Sequence, residues 1–159
     1  MNNYEIRLAR ISDIPDIMDL LREVLDVHHL IRPDIFKENA TKYNEEELIK
    51  IINNHEMLIY VYVLKGIVVG HLFCKIIEQN ETNNQYKKKT LFIDDLCIKQ
   101  AYRGSGIGKS LYDYCYQKAK DFNCDSITLN VWNGNSSAIK FYEKIGFNVQ
   151  KYVLENNIK

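Results

Sequence analysis

Residues Tyr102 to Ser110 read YRGSGIGKS, with glycines at positions 104, 106 and 108 followed by Lys109-Ser110. Glycines let the backbone come close to a ligand, and the exposed N–H groups of such a loop suit phosphate oxygens. The ending resembles a nucleoside-triphosphate loop, but that motif needs a glycine five residues before Gly108, where Arg103 stands. The acidic run LFIDD also precedes the loop closely instead of following it on a later strand. A dinucleotide fingerprint fails as well, because Lys109 occupies its third glycine position. What survives is a strand ending at Ile98, a glycine-rich loop and a helix that begins inside it. The positive end of that helix and its free amides form a site for a diphosphate.

Two carboxylates, Asp94 and Asp95, stand just ahead of the loop in FIDDLCI. Regular strand geometry sends their side chains to opposite sheet faces, so one of them looks into a given cleft unless a bulge intervenes. The remaining reactive residue types point elsewhere. Cys74, Cys97, Cys115 and Cys124 form no C-x-x-C pair and lie in apolar segments, as buried reduced thiols do. His28 and His29 are adjacent, while His55 and His71 stand alone, so packing or surface roles are expected and no metal.

Lys plus Arg and Asp plus Glu each number 21, which leaves no net field to draw the chain onto nucleic acid or an anionic membrane. The N-terminus has no apolar stretch of signal-peptide length, and no run of about 18 apolar residues occurs, so a cytoplasmic location is expected. No Pro/Gly/Ser-rich linker divides the 159 residues, and one domain over 1–159 is expected.

The elements that position these residues follow from periodicity. A short strand at Tyr4 to Leu8 precedes a helix whose apolar face is Ile14, Ile17, Met18, Leu21, Val24 and Leu25, with Pro15 in its first turn. Asp26 to Asn44 has weak periodicity and a proline that disfavours helix through Arg32, so it is expected to be irregular or a broken helix. Asn44 and Glu47 have capping-box spacing for the next helix, with Leu48, Ile51 and Ile52 on its apolar face. A hairpin turning at Lys65-Gly66 comes next, then a polar loop EQNETNNQYKKK and the strand TLFIDDLCI. Ile107, Leu111, Cys115, Ala119 and Phe122 share one helical face, followed by the strand SITLNV, the helix SSAIKFYEKI, a stop at Gly146 and a last strand from Phe147. The expected order is β-α-α-β-β-β-α-β-α-β.

At this point the sequence resembles the GCN5-related N-acetyltransferase (GNAT) family. The family's acyl-CoA loop reads [QR]-x-x-G-x-[GA] after a strand, which Arg103-Gly104-Ser105-Gly106-Ile107-Gly108 matches, and NSSAIKFYEKIGF resembles its second signature about 30 residues on. The resemblance implies an α/β (α+β) fold: a mixed, mostly antiparallel sheet splayed between strands four and five, with helices on both faces. It also implies acetyl-CoA as cosubstrate and direct acetyl transfer to an amine.

Carried over residue by residue, the resemblance assigns the backbone amides of Arg103 through Gly108 to the pyrophosphate, with Lys109 and Ser110 as secondary contacts. Leu96, Cys97 and Ile98 offer backbone groups to the pantetheine arm, and an N–H near Leu96 or Cys97 polarises the thioester carbonyl. Tyr142 matches the usual proton donor to the departing thiolate, and Asn135 caps the following helix or bonds pantetheine amides. Asp94 is favoured as base or amine anchor, with Asp95 structural. His29, Arg32 and Phe36 are candidates to line the acceptor pocket. The expected partner is a small-molecule amine; a protein N-terminus or lysine is the alternative, a non-catalytic acyl-CoA-binding module is a third reading, and a homodimer is left open.

Overall fold

The computed structural model describes residues 3–159. Five strands, β1 (Tyr4–Leu8), β2 (Leu58–Leu64), β3 (Ile67–Gln79), β4 (Lys88–Ile98) and β5 (Ser126–Leu129), form one sheet in that spatial order. The first three pairings are antiparallel and β4–β5 is parallel. The parallel pair needs a crossover, and helix α3 (Ile107–Asp121) supplies it. Helices α1 (Ile14–Ile31) and α2 (Glu45–Asn54) precede the hairpin, and α4 (Ser136–Lys144) follows β5.

Sheet alternation makes two apolar layers. Ile59, Val61, Val63, Phe73 and Cys97 face Ile14, Ile17, Met18, Leu20 and Leu21 of α1 and Leu48 and Ile51 of α2. On the other face Leu72, Cys74, Leu91 and Ile93 meet Ile107, Leu111, Cys115 and Ala119 of α3. Leu21, Leu48, Phe73, Leu91 and Leu111 are fully enclosed, each worth roughly 1.5–3 kcal/mol of burial. Cys74, Cys97 and Cys115 are buried and unpaired, as their apolar setting suggested.

Local signals act where expected. Pro15 sits in the first turn of α1, and that helix stops at Ile31, before the residue preceding Pro33. The first six residues of the expected irregular segment thus extend α1. Asn44 and Glu47 exchange side-chain and backbone bonds of 2.8 Å each, closing the capping box of α2. Lys65 and Gly66 both take positive φ, +51° and +79°, the requirement of a tight two-residue hairpin turn. The polar loop is shorter than the composition implied, because β3 runs to Gln79 and β4 begins at Lys88.

The last expected strand is absent. Residues 147–159 adopt no helix or strand, because among the described residues nothing pairs with their backbone beyond the Phe147 N–H bond to the Tyr142 carbonyl. Alternating apolar residues specify a strand only where a neighbouring edge receives it. Among the described residues no helix is long and apolar enough to cross a membrane.

Candidate acyl-transfer site

β4 and β5 part company halfway along. Their pairing runs from Thr90–Ser126 to Ile93–Leu129, and Asp94 through Ile98 have no partner on β5. This opens the sheet beside Leu96, Cys97 and Ile98, whose other neighbours are Leu72, His71 and Gly70 of β3.

At the end of β4 the glycine loop leads into α3. Gly104 and Gly106 take φ +77° and +86°, a conformation costing other residues about 1–2 kcal/mol, and space beside both is open. A β-carbon on Gly108 would instead stand 3.2 Å from the Phe141 ring, so this glycine lets α3 and α4 approach. The N–H groups of residues 104–109 have no acceptor among the described residues. Arg103 N–H is already bonded to the Gln100 carbonyl, and its side chain donates to the Ile98 carbonyl at 2.9 Å. Lys109 pairs with Asp113 at 2.6 Å and the Ser110 hydroxyl donates to the Gly106 carbonyl. A cradle of unpaired amides at a helix N-terminus fits a diphosphate.

The acidic pair departs from simple parity. Between Phe73 and Cys74 the β3–β4 register slips: Phe73 lies opposite Asp95 and Cys74 opposite Ile93, so Asp94 is an extra, bulged residue. Both carboxylates consequently stand on the α1/α2 face, around Phe73. Asp94 Oδ2 accepts from the Tyr43 hydroxyl at 2.7 Å and pairs with the Lys42 ammonium at 3.0 Å, while the Tyr43 ring stacks on Phe73. Asp95 Oδ2 is 2.5 Å from Nε2 of His71, whose ring meets Phe73 edge-on. His71 is wholly enclosed and its Nδ1 has no partner among the described residues.

Burial raises the Tyr43 hydroxyl above its ordinary range, and the bond to Asp94 raises it further. Tyr142 on α4 is likewise raised, first by burial and then by the negative charge of Asp95 and by Cys97. Its ring packs against Phe141 and Phe147, and its hydroxyl has no hydrogen-bond partner among the described residues. A phenol so placed stays protonated and can give a proton. Burial pushes the Cys97 thiol up to about 12, and its Sγ donates to the Leu20 carbonyl at 3.4 Å, so it stays a thiol directed at α1.

The end of α1, the segment after it and the β5–α4 turn meet at one edge of the opening. Phe36 lies between His28 and Trp132, with ring centroids 5.0 and 5.4 Å away. The Arg32 guanidinium stacks 5.6 Å over Trp132 and bonds both Asp34 and Glu155. His29 Nδ1 contacts the Phe36 carbonyl at 2.7 Å, fixing the segment. Asn135 caps α4 through the Ala138 N–H.

A model of the acetyltransferase (GNAT) family matches residues 23–147, a span that includes α2, the splayed strand, the glycine loop and the Tyr142 helix. The chain belongs to the GNAT family. A probable N-acetyltransferase, san, of Drosophila melanogaster is 35% identical over 108 residues, covering 67% of this chain and 55% of that one. An N-alpha-acetyltransferase of Sulfolobus acidocaldarius is 29% identical over 149 residues, with 91% and 80% covered. Among solved structures, a mutant form of the BH1408 protein from Bacillus halodurans superposes with a TM-score of 0.93 at 25% identity, covering 98% of this chain and 99% of that one. The GNAT chain described here is thus an acetyl-CoA-dependent N-acyltransferase with the family's mixed, mostly antiparallel sheet.

In this GNAT protein the residues that sequence reasoning missed are His71, Tyr43, Lys42 and Trp132. A histidine inside an apolar run gives no sign of its partner, because Asp95 comes from a strand 24 residues away in sequence. Tyr43 and Lys42 lie beside the Asn44 cap, where only the fold brings them to Asp94.

Proposed function

We propose that this GNAT enzyme moves acetyl from acetyl-CoA directly to the primary amine of a small molecule. The observation that carries the reading is the convergence, at one end of β4, of the opening in the sheet, the unpaired amides of residues 104–109 and the unbonded Tyr142 hydroxyl. Acetyl-CoA bound there supplies the activated acetyl group. The loop amides hold the pyrophosphate, with Lys109 and Ser110 at its margin, and unpaired backbone groups of Leu96, Cys97 and Ile98 hold the pantetheine arm. Asn135, engaged as a helix cap, orients the turn that borders it.

An amine arrives as an ammonium ion and loses a proton before it can attack. Asp94, already engaged by Tyr43 and Lys42, suits an anchoring role. Asp95 has one oxygen on His71 and the other without a partner among the described residues, which suits it to take the proton. Tyr142 returns a proton to the departing thiolate. Cys97, held as a thiol against α1, forms no acyl-enzyme.

A small acceptor is favoured by the wall of Phe36, Trp132 and Arg32, which Glu155 ties to the C-terminal segment across one side of the opening. The second reading, a peptide α-amine, draws on the N-alpha-acetyltransferase relative. Thiol release from acetyl-CoA, measured across polyamines, amino sugars, free amino acids and short peptides, separates the two. Turnover confined to peptides would replace the small-molecule reading, and bound acetyl-CoA with no thiol release for any of these amines would leave an acyl-CoA-binding module.

A further inference from the structure

The Lys42 ammonium stands where a primary amine would be anchored. Its Nζ lies 3.0 Å from Oδ2 of Asp94, donates to the Asp94 carbonyl at 3.2 Å and is 5.8 Å from the centre of the Tyr43 ring. A carboxylate, a carbonyl and an aromatic face together suit a primary ammonium ion. Asp94 is the bulged residue of β4, one position past the last pairing with β5. At roughly 3.3 Å per strand residue, Leu96 follows about 7 Å further along the opening. The His28 imidazole, lowered first by burial, is raised by the charge of Asp95 and lowered by that of Lys42, so the carboxylate and the ammonium act on the same ring. Lys42 comes from the stretch between α1 and α2, where the chain has no helix or strand, and among the described residues its hydrogen bonds and ion pair all go to Asp94. Its side chain is 44% exposed, so the flexible stem leaves the amine free to swing.

We propose that Lys42 is a self-acetylation site, a tethered amine that fills the acceptor's ammonium position on Asp94 and is acetylated by its own chain when acetyl-CoA is bound and no acceptor competes. This rests on the acetyl-transfer reading of the site given above. The step is an amide formation that needs no further reactant. Asp95 takes one proton from the ammonium, and the freed lone pair of Nζ forms a C–N bond to the acetyl carbon. The C–S bond breaks, Tyr142 returns a proton to the thiolate, and one proton passes in net to solvent. A short flexible tether holds the amine at an effective concentration on the order of millimolar, which favours self-transfer when acceptor is scarce. The product has lost the charge that bound it to Asp94. Acetylated Lys42 thus leaves the carboxylate to Tyr43 and to an incoming amine, and the modification clears the acceptor position.

The experiment uses the full wild-type chain. Incubated with acetyl-CoA and no amine, it should gain the mass of one acetyl group, which tandem mass spectrometry places on Lys42. Lys50, whose side chain is more exposed at 64%, should stay unmodified. The first-order rate constant should not change with protein concentration, and the preference for Lys42 should vanish in urea-unfolded chain. A second readout needs no acetyl-CoA: n-butylammonium, the free counterpart of the lysine side chain, should bind Lys42→Ala at least about threefold tighter than wild type by calorimetry, because the tethered competitor is gone. No mass gain, acetyl groups spread over the lysines by exposure, a rate constant that rises with protein concentration, a preference that survives unfolding, or equal n-butylammonium affinities would each overturn the assignment. The amine panel run in parallel separates the failures. Thiol release with amines beside an unmodified Lys42 overturns self-acetylation alone, whereas no release with any amine beside an unmodified Lys42 removes the acetyl-transfer reading with it.

Discussion

Nε2 of His71 lies 2.5 Å from Oδ2 of Asp95, at the point where β4 loses its β5 neighbour. The imidazole is sealed from solvent, and its second nitrogen has no partner among the described residues, so the ring's one polar attachment there is the carboxylate. A buried carboxylate held through one oxygen keeps its orientation while its other oxygen remains available.

If Asp95 takes the ammonium proton, Asp95→Asn lowers kcat by about 100- to 10,000-fold, the usual scale for losing a general base. On that reading His71, bonded to Asp95 Oδ2, would act through Asp95 as a positioning residue. His71→Leu should lower kcat about 10- to 100-fold and His71→Gln, which retains an N–H donor, should recover much of it, with coenzyme A affinity unchanged in both. Steady-state kinetics beside melting curves checks this: rate losses that merely track loss of Tm would make the pair structural.

Asp94 is expected to behave differently, because the Tyr43 hydroxyl and the Lys42 ammonium already occupy Oδ2. Asp94→Asn should raise KM for the amine more than it lowers kcat, and Tyr43→Phe should produce a weaker version of the same change. A large kcat loss in Asp94→Asn with a normal rate in Asp95→Asn would exchange the two roles.

Tyr142→Phe removes only the hydroxyl, and turnover should fall about 10- to 1,000-fold with acetyl-CoA affinity nearly kept. The pH dependence follows from the direction of its shift. Burial and the charge of Asp95 raise the phenol above its usual range near 10, so the proton-bearing form persists beyond that pH. The wild-type kcat should therefore show no descending limb below about pH 10. Such a limb, absent from Tyr142→Phe, would show that the phenol titrates lower than its surroundings imply.

Much of this architecture was legible because its signals are local. The stripe from Ile14 to Leu25, the Asn44–Glu47 box and the Lys65-Gly66 turn each depend on residues within a few positions of one another, and each element forms. The relation between Asp94 and Asp95 was not legible. Their shared face depends on a bulge against Phe73 and Cys74, and a two-residue alternation rule carries no information about a register slip between strands. The segment from Phe147 shows the complementary failure: its residues read as a strand, but they join neither the open edge of β5 nor any other strand among the described residues.

The glycine loop separates two demands that the sequence joins. Gly106 has open space beside it but a positive φ, so Gly106→Val strains the loop by about 1–2 kcal/mol without an intramolecular clash. Coenzyme A affinity measured by calorimetry should fall at least about tenfold, the equivalent of about 1.4 kcal/mol, while the fold persists. Gly108→Val should instead lower Tm, because its side chain meets Phe141. Unchanged affinity in a folded Gly106→Val protein would remove the loop from the coenzyme site.

The acceptor wall gives the last prediction. Arg32 stacks on Trp132 and bonds Asp34 and Glu155, and the Trp132 ring in turn meets Phe36 edge-on. Arg32→Ala removes the stacking and frees the C-terminal segment at Glu155, but none of the Arg32 side-chain bonds reaches the glycine loop. KM for the amine should rise about 3- to 30-fold, the range of a partly desolvated cation–π contact, while kcat and coenzyme A affinity stay within about twofold. Trp132→Ala should do the same through the other partner. Initial-rate measurements on both variants decide the matter, since a lowered kcat at saturating amine would place Arg32 and Trp132 in support of the helix–sheet packing and remove them from the acceptor site.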